Sequence, residues 1–300
     1  MSDQEPEEVV MAEKRPTLAV IGLGTMGQAM AGSAIRNGIP TVVWNRNPEL
    51  ARRMADQGAE VATSLVDAVR AADITITMVT DAEAVISIAV DLGMLEALPP
   101  GAVWAQMSTI GVEGTESIKS IVEKQRPDVL FLDAPVSGSK VPAEQGKLII
   151  FASGSEQARP KADPVFAAIG RRTVWLGPVG MGSRMKLVNN TLLAFAAEGV
   201  ANSLALARQL GLEVGSVLDA FAEGPLLSPW MAAKVSRIQD DNYSPEFSLA
   251  LALKDVHLAL EQADPKRYTV LASLAREWEQ IVEQGLGNED VTVVGRSLER

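Results

Sequence analysis

A chain of 300 residues that is 47% apolar and 22% charged has ordinary globular composition and room for two domains with a sizeable core. Its net charge of -11, with no basic cluster longer than a pair, argues against nucleic acid or anionic lipid as a partner. Cysteine is absent, which excludes disulfides, thiolate zinc sites and thiol nucleophiles.

The opening segment, 1–15, is acidic and has neither the apolar core of a secretory signal nor the Arg-rich character of a presequence. It reads as a disordered tail on a cytoplasmic protein. From Thr17 to about Gly177, β-branched runs alternate with amphipathic stretches: 18–21, 41–44, 74–79, 102–104, 130–132 and 148–151. Runs apolar on both faces and separated by helices predict a mainly parallel, doubly wound sheet covered on both sides, an α/β domain over 16–178. A glycine-rich stretch, 177–182, then marks a change of character. Ser183 to Leu210 reads as one long helix ending at Gly211, and 247–263 and 269–284 repeat apolar residues at helical spacing. An all-helical second domain over 179–300 is expected. The richest apolar stretch, 187–207, is broken by Asn189, Asn190 and Glu198, so no membrane span is expected.

Gly22-Leu23-Gly24-Thr25-Met26-Gly27 follows the first strand and opens a helix. A lone GxGxxG says little, but in this context it is a dinucleotide turn. Gly22 permits the tight turn, Gly24 lets a pyrophosphate approach the backbone, and Gly27 lets the helix pack on the strand. At the end of the second strand, where a carboxylate would bind a ribose 2'-hydroxyl, the chain has Asn45-Arg46-Asn47. Arg46 suits a 2'-phosphate, with Asn45 donating beside it, so NADP(H) is the expected cofactor.

Hydride chemistry on such a cofactor needs a group that exchanges a proton. The one histidine, His257, follows Lys254-Asp255 in a helical stretch and reads as a surface residue. With too few His and no Cys, no metal site is assigned. Lys186 is the candidate, four residues before Asn190 on one face of the long helix. Its neighbours Met185, Leu187, Val188, Leu192 and Leu193 are apolar, so this helix is expected to be buried over most of its girth, where a lysine needs a reason. Its ammonium would stabilise a developing alkoxide and protonate it, while Asn190 fixes the oxygen or the amine.

Four segments occur in order: Gly22 to Gly27, Ser108-Thr109, Asp133-Ala134-Pro135-Val136-Ser137-Gly138-Ser139, and Gly182 to Asn190. Together they resemble the β-hydroxyacid dehydrogenase family from about Thr17 onward. Within it, Asn45-Arg46, Ser137 to Lys140, Pro142-Ala143-Glu144 and 146–150 are most similar to the NADPH-dependent glyoxylate/succinic semialdehyde reductases. The resemblance implies that Ser137, Gly138 and Ser139 bind a substrate carboxylate, that Thr109 lies beside nicotinamide and substrate, and that Lys186 is catalytic with Asn190 in support. Met78-Val79-Thr80 would form a further cofactor loop, and Phe247 and Lys254-Asp255 would close over the nicotinamide from the helical domain. Three departures stand out: Gln106-Met107 where the family commonly has Asp-x, Ser139 for a second glycine, and Thr80 where proline is frequent.

The expected reaction is hydride transfer between NADPH and a small aldehyde or keto acid. Three alternatives remain: a 3-hydroxyisobutyrate dehydrogenase proper, an imine reductase, or a catalytically silent NADP-binding module. Retention of Lys186 argues against the last two. Leu227, Ser228, Trp230 and Met231 are candidates for gauging substrate length, Trp230 foremost. The Ala/Leu-rich long helix suggests a homodimer or homotetramer built through the helical domain.

Overall fold

The computed structural model describes residues 15–222, 224–264 and 266–298. The predicted acidic tail, Arg15 excepted, lies outside them. Strands are β1 Leu18–Ile21, β2 Thr41–Trp44, β3 Glu60–Val61, β4 Ile74–Thr77, β5 Val103–Gln106, β6 Leu130–Asp133, β7 Val136–Ser137, β8 Leu148–Gly154 and β9 Gly170–Trp175. Helices among them are α1 Thr25–Arg36, α2 Pro48–Ala55, α3 Leu65–Arg70, α4 Ala82–Ile86, α5 Met94–Ala97, α6 Gly111–Gln125, α7 Lys140–Glu144 and α8 Arg159–Ile169. The strand order is β3-β2-β1-β4-β5-β6-β8-β7, with β9 paired to β8.

The core of this sheet is parallel from β3 to β6, and β1, β4 and β5 are buried along their whole length. Alternate residues of each strand feed separate apolar clusters on the two faces: Leu18, Val20, Ile74 and Ile76 on one, Ala19, Ile21 and Trp104 on the other. Strand order reverses between β1 and β4, and the crevice outside the carboxyl ends of these neighbours is where such sheets bind ligands. All six predicted strands are present. Three more were not predicted: β3 and β7 have two residues each, too short for periodicity, and β9 carries the exposed pair Arg171-Arg172 directly after its first residue.

From residue 181 the described chain is helical: α9 Met181–Gln209, α10 Val214–Ala222, α11 Pro229–Gln239, α12 Leu249–Leu260, α13 Thr269–Ile281 and α14 Val294–Ser297. One isolated bridge joins Ser248 to Asp290. The long helix begins two residues earlier than predicted. It ends as predicted, with Gly211 at φ +76° and the Leu212 N–H bonded to Ala207 O at 2.8 Å, which closes the last turn. Its Ala194, Ala197 and Ala201 pack against α12 and α13 around the fully buried Trp278. None of the described helices is long and apolar enough to cross a membrane.

Candidate active site

Gly22 turns the chain after β1 with φ +94°, a conformation that favours glycine. A Cβ there would stand 2.4 Å from Met78 O, and one on Gly27 would stand 1.9 Å from Gly22 O, so packing forbids a side chain at both positions. A Cβ on Gly24 would meet nothing within 4 Å. Internal packing therefore leaves open space over Gly24, where α1 starts at Thr25 without a capping side chain. The first amides of that helix, those of Thr25, Met26 and Gly27, are the groups a phosphate would use. The arrangement fits a dinucleotide.

Asn45 braces this turn: its Oδ1 accepts the Leu23 N–H at 2.9 Å and its Nδ2 donates to Asn47 O at 3.0 Å. Arg46, next to it, is exposed and forms no hydrogen bond or ion pair among the described residues. Met78 and Val79 continue β4 beside Gly22, the Met78 N–H reaching Ile21 O and the Val79 N–H reaching Ser108 Oγ at 2.8 Å. Thr80 donates to Asp81, the N-cap of α4. Met78, Val79 and Ser108 thus meet at the carboxyl edge of the sheet.

Lys186 lies in the second turn of α9, half-buried, and its Nζ donates to the Val136 carbonyl at 2.8 Å. Burial pushes the ammonium below the usual lysine range; the Asp255 carboxylate opposes that shift and the Lys254 ammonium adds to it. The Val136 tether leads straight into Ser137, Gly138 and Ser139. Gly138 takes φ +133°, and Ser139 caps α7 with its backbone only, leaving its hydroxyl uncommitted. Ser137 Oγ donates to Asn189 Oδ1 at 3.1 Å. Small polar residues in a turn after a strand can present several donors to an anion.

Asn190 does not reach Lys186 by any hydrogen bond in the structure. Its Nδ2 donates to Asp255 Oδ2, and its Oδ1 accepts from Asn189 Nδ2 at 2.9 Å. Asp255 is 3% exposed, and its other oxygen, without a well-aligned hydrogen bond, lies 2.9 Å from Lys254 Nζ. Lys254 in turn donates to the Thr109 carbonyl at 2.6 Å, while the Thr109 hydroxyl carries no hydrogen bond among the described residues. A continuous polar path therefore runs from Ser137 through Asn189, Asn190, Asp255 and Lys254 to Thr109. Sequence reasoning missed Asn189, whose adjacency to Asn190 hides that the two bond different partners.

A second buried network fixes the start of α9. Asp133 Oδ2 accepts the Ser183 N–H at 2.8 Å, Asp133 Oδ1 accepts the Ser183 hydroxyl at 2.7 Å, and Ser153 Oγ donates to Asp133 while accepting the Gly182 N–H. Burial pushes the Asp133 carboxyl above its usual range, and the hydrogen bonds from Ser183 and Ser153 oppose that. A Cβ on Gly182 would stand 2.3 Å from Phe151 O, so glycine is what lets the helix sit on the strand ends. One turn later the same helix delivers Lys186.

Other candidates are placed differently. Phe247 is half-buried against the helical core, with its N–H bonded to Asp290. Trp230 packs on that core too, with the Lys234 ammonium 5.7 Å from its ring centre, so its described contacts are those of a packing aromatic. Leu227 and Met231 pack against a smaller cluster, and Ser228 caps α11. His257 is half-buried, with its Nε2 3.2 Å from Glu279 Oε1. The expectation that α9 is buried over most of its girth is corrected: Val188 and Leu192 are 67% and 71% exposed, because the chain covers only the alanine side of this helix.

Residues 17–177 match the profile of the NAD binding domain of 6-phosphogluconate dehydrogenase, and 180–298 match that of the NAD-binding region of NADP-dependent 3-hydroxyisobutyrate dehydrogenase. The chain belongs to the 3-hydroxyisobutyrate dehydrogenase-like family. It is thus an NAD(P)-dependent oxidoreductase of the β-hydroxyacid dehydrogenase group. Glyoxylate/succinic semialdehyde reductase 1 of Arabidopsis thaliana is 32% identical over 277 residues, covering 91% of this chain and 95% of that relative. The solved 3-hydroxyisobutyrate dehydrogenase from Salmonella typhimurium superposes with a TM-score of 0.85 at 26% identity, over 93% of this chain and 99% of that one. Psf3, solved with NADP+ and 2-OPP, gives 0.87 at 25% identity over 94% of this chain and 100% of its own.

Proposed function

We propose that this family member is an NADPH-dependent reductase of small carbonyl acids, of the glyoxylate or semialdehyde type, working reversibly on the corresponding hydroxy acids. The observation that carries this reading is the tether from Lys186 Nζ to Val136 O, which holds a proton donor at the entrance to the Ser137–Ser139 turn. Bound NADPH supplies the hydride. Ser137, Gly138 and Ser139 bind the carboxylate of the substrate, and the Lys186 ammonium protonates the carbonyl oxygen as it gains charge. For Lys186 to do so its hydrogen bond to Val136 must give way to one to the substrate oxygen. Asn190 acts at one remove, holding Asp255 where its charge favours the protonated lysine. Thr109 offers its free hydroxyl to the substrate, and Phe247, Lys254 and Asp255 bring the helical half over the nicotinamide end.

Gly22, Gly24, Thr25, Met26 and Gly27 take the pyrophosphate, with Met78, Val79 and Thr80 along the nicotinamide side. Arg46, exposed just beyond β2 and without an ion pair among the described residues, binds the 2'-phosphate and gives NADP(H) its preference over NAD(H). NADPH oxidation at neutral pH against glyoxylate, succinic semialdehyde, methylmalonate semialdehyde and cyclic imines tests the reading. Turnover of a carbonyl acid is expected; turnover of imines alone, or of nothing, contradicts it.

The chain also forms homodimers through α9. Met181, Met185, Val188, Leu192 and Phe195 are exposed at alternating steps of four and three residues. This is the spacing of a seam that packs against another long helix, and the same helix of a second copy carries the matching pattern.

A further inference from the structure

Gln106 ends β5 with no exposed surface, and the role of its side chain is not explained by the reaction chemistry above. Its carboxamide clasps both backbone polar groups of Ser108: Oε1 accepts the Ser108 N–H at 2.7 Å and Nε2 donates to Ser108 O at 2.9 Å. Ser108 is 1% exposed, so without this clasp both backbone groups would be buried and unsatisfied. Ser108 Oγ donates to Thr77 O at 3.4 Å, and the clasped segment is tied to its surroundings at two further points. The same Oγ takes the Val79 N–H at 2.8 Å, and the next carbonyl, that of Thr109, takes Lys254 Nζ at 2.6 Å.

We propose that Gln106 is a positioning residue that, through Ser108, sets the Met78–Thr80 loop and Thr109 for binding the nicotinamide half of NADP(H). This inference rests on the cofactor reading above. The clasp demands one acceptor and one donor on a short planar group, which a carboxamide supplies at every pH. A carboxyl group supplies them only while protonated; once ionised it faces the Ser108 carbonyl with a negative oxygen. In a site this buried a carboxyl titrates well above its ordinary range. Gln106→Glu therefore converts the clasp into one that pH can open. Two charged groups adjoin it: Asp133, its register partner on β6, and Lys254, which reaches the loop from α12. Thr77, its partner on β4, is uncharged. Asp133 and Lys254 are also present in the unaltered protein, so each measurement is taken as a ratio to it at the same pH.

The test is the affinity for NADP+ by calorimetry, with the KM for NADPH and kcat measured alongside, from about pH 5.5 to about pH 8.5. Gln106→Glu should match the unaltered protein at the acid end and bind about tenfold more weakly at the alkaline end, with KM rising more than kcat falls and recovery on reacidification. Gln106→Met, which keeps volume but neither hydrogen bond, should bind about tenfold more weakly at every pH. A Gln106→Glu ratio that stays flat with pH, in protein that binds NADP+ normally, overturns the inference alone. Failure of the unaltered protein to bind NADP+ overturns the cofactor reading and the inference with it.

Discussion

Lys186 Nζ rests 2.8 Å from Val136 O, so the one lysine of the second turn of α9 is anchored to the residue immediately before the Ser137–Ser139 turn. That bond joins the two halves of the chain at the place where the proposed chemistry needs both. The Asp133 network holds the start of the same helix, about one turn before the lysine.

The pH dependence follows from the charges around this lysine. Burial depresses its pKa, so carbonyl reduction, which needs the ammonium, declines as pH rises through a value below that of free lysine, and hydroxyl oxidation, which needs the amine, rises over the same range. Asp255 works against the depression. Asp255→Asn should move both limbs to lower pH, measured as kcat/KM in each direction; limbs that stay in place would show that Asp255 does not tune the lysine.

Arg46→Ala should weaken NADPH by about ten- to a hundredfold, the worth of a charge-assisted hydrogen bond, and leave NADH nearly unchanged. Paired binding titrations read this directly. Equal losses for both cofactors would remove the 2'-phosphate role from Arg46.

Charges on the exposed seam of α9 test the proposed homodimer. Val188→Asp with Leu192→Asp leaves the alanine side of the helix untouched and should convert the protein to a species of one-chain mass by sedimentation. An unaltered mass for the variant would place the interface elsewhere.

Most of the fold was legible because its signals are repeated ones. Strands buried on both faces, the glycine turn after β1 and the capping Gly211 each leave a local pattern in the chain. The Asn190–Asp255 bond spans 65 positions, and nothing local at Asn190 marks it. The same holds for Asp133 with Ser183, and for Gln106, whose partner is only two residues away but whose clasp depends on complete burial. The misreading of the α9 surface has a different source: apolar residues report that a face is to be covered, and the sequence of one chain does not say by what. Asn45, expected to donate to a 2'-phosphate, also braces the glycine turn by accepting the Leu23 N–H, a contact that no local pattern announces.

The central claim is that Lys186 supplies the proton. Lys186→Ala should lower kcat with a carbonyl acid by about a hundred- to ten-thousandfold, while NADPH binding measured by fluorescence stays within about twofold of the unaltered protein. Turnover that survives the substitution would contradict the account.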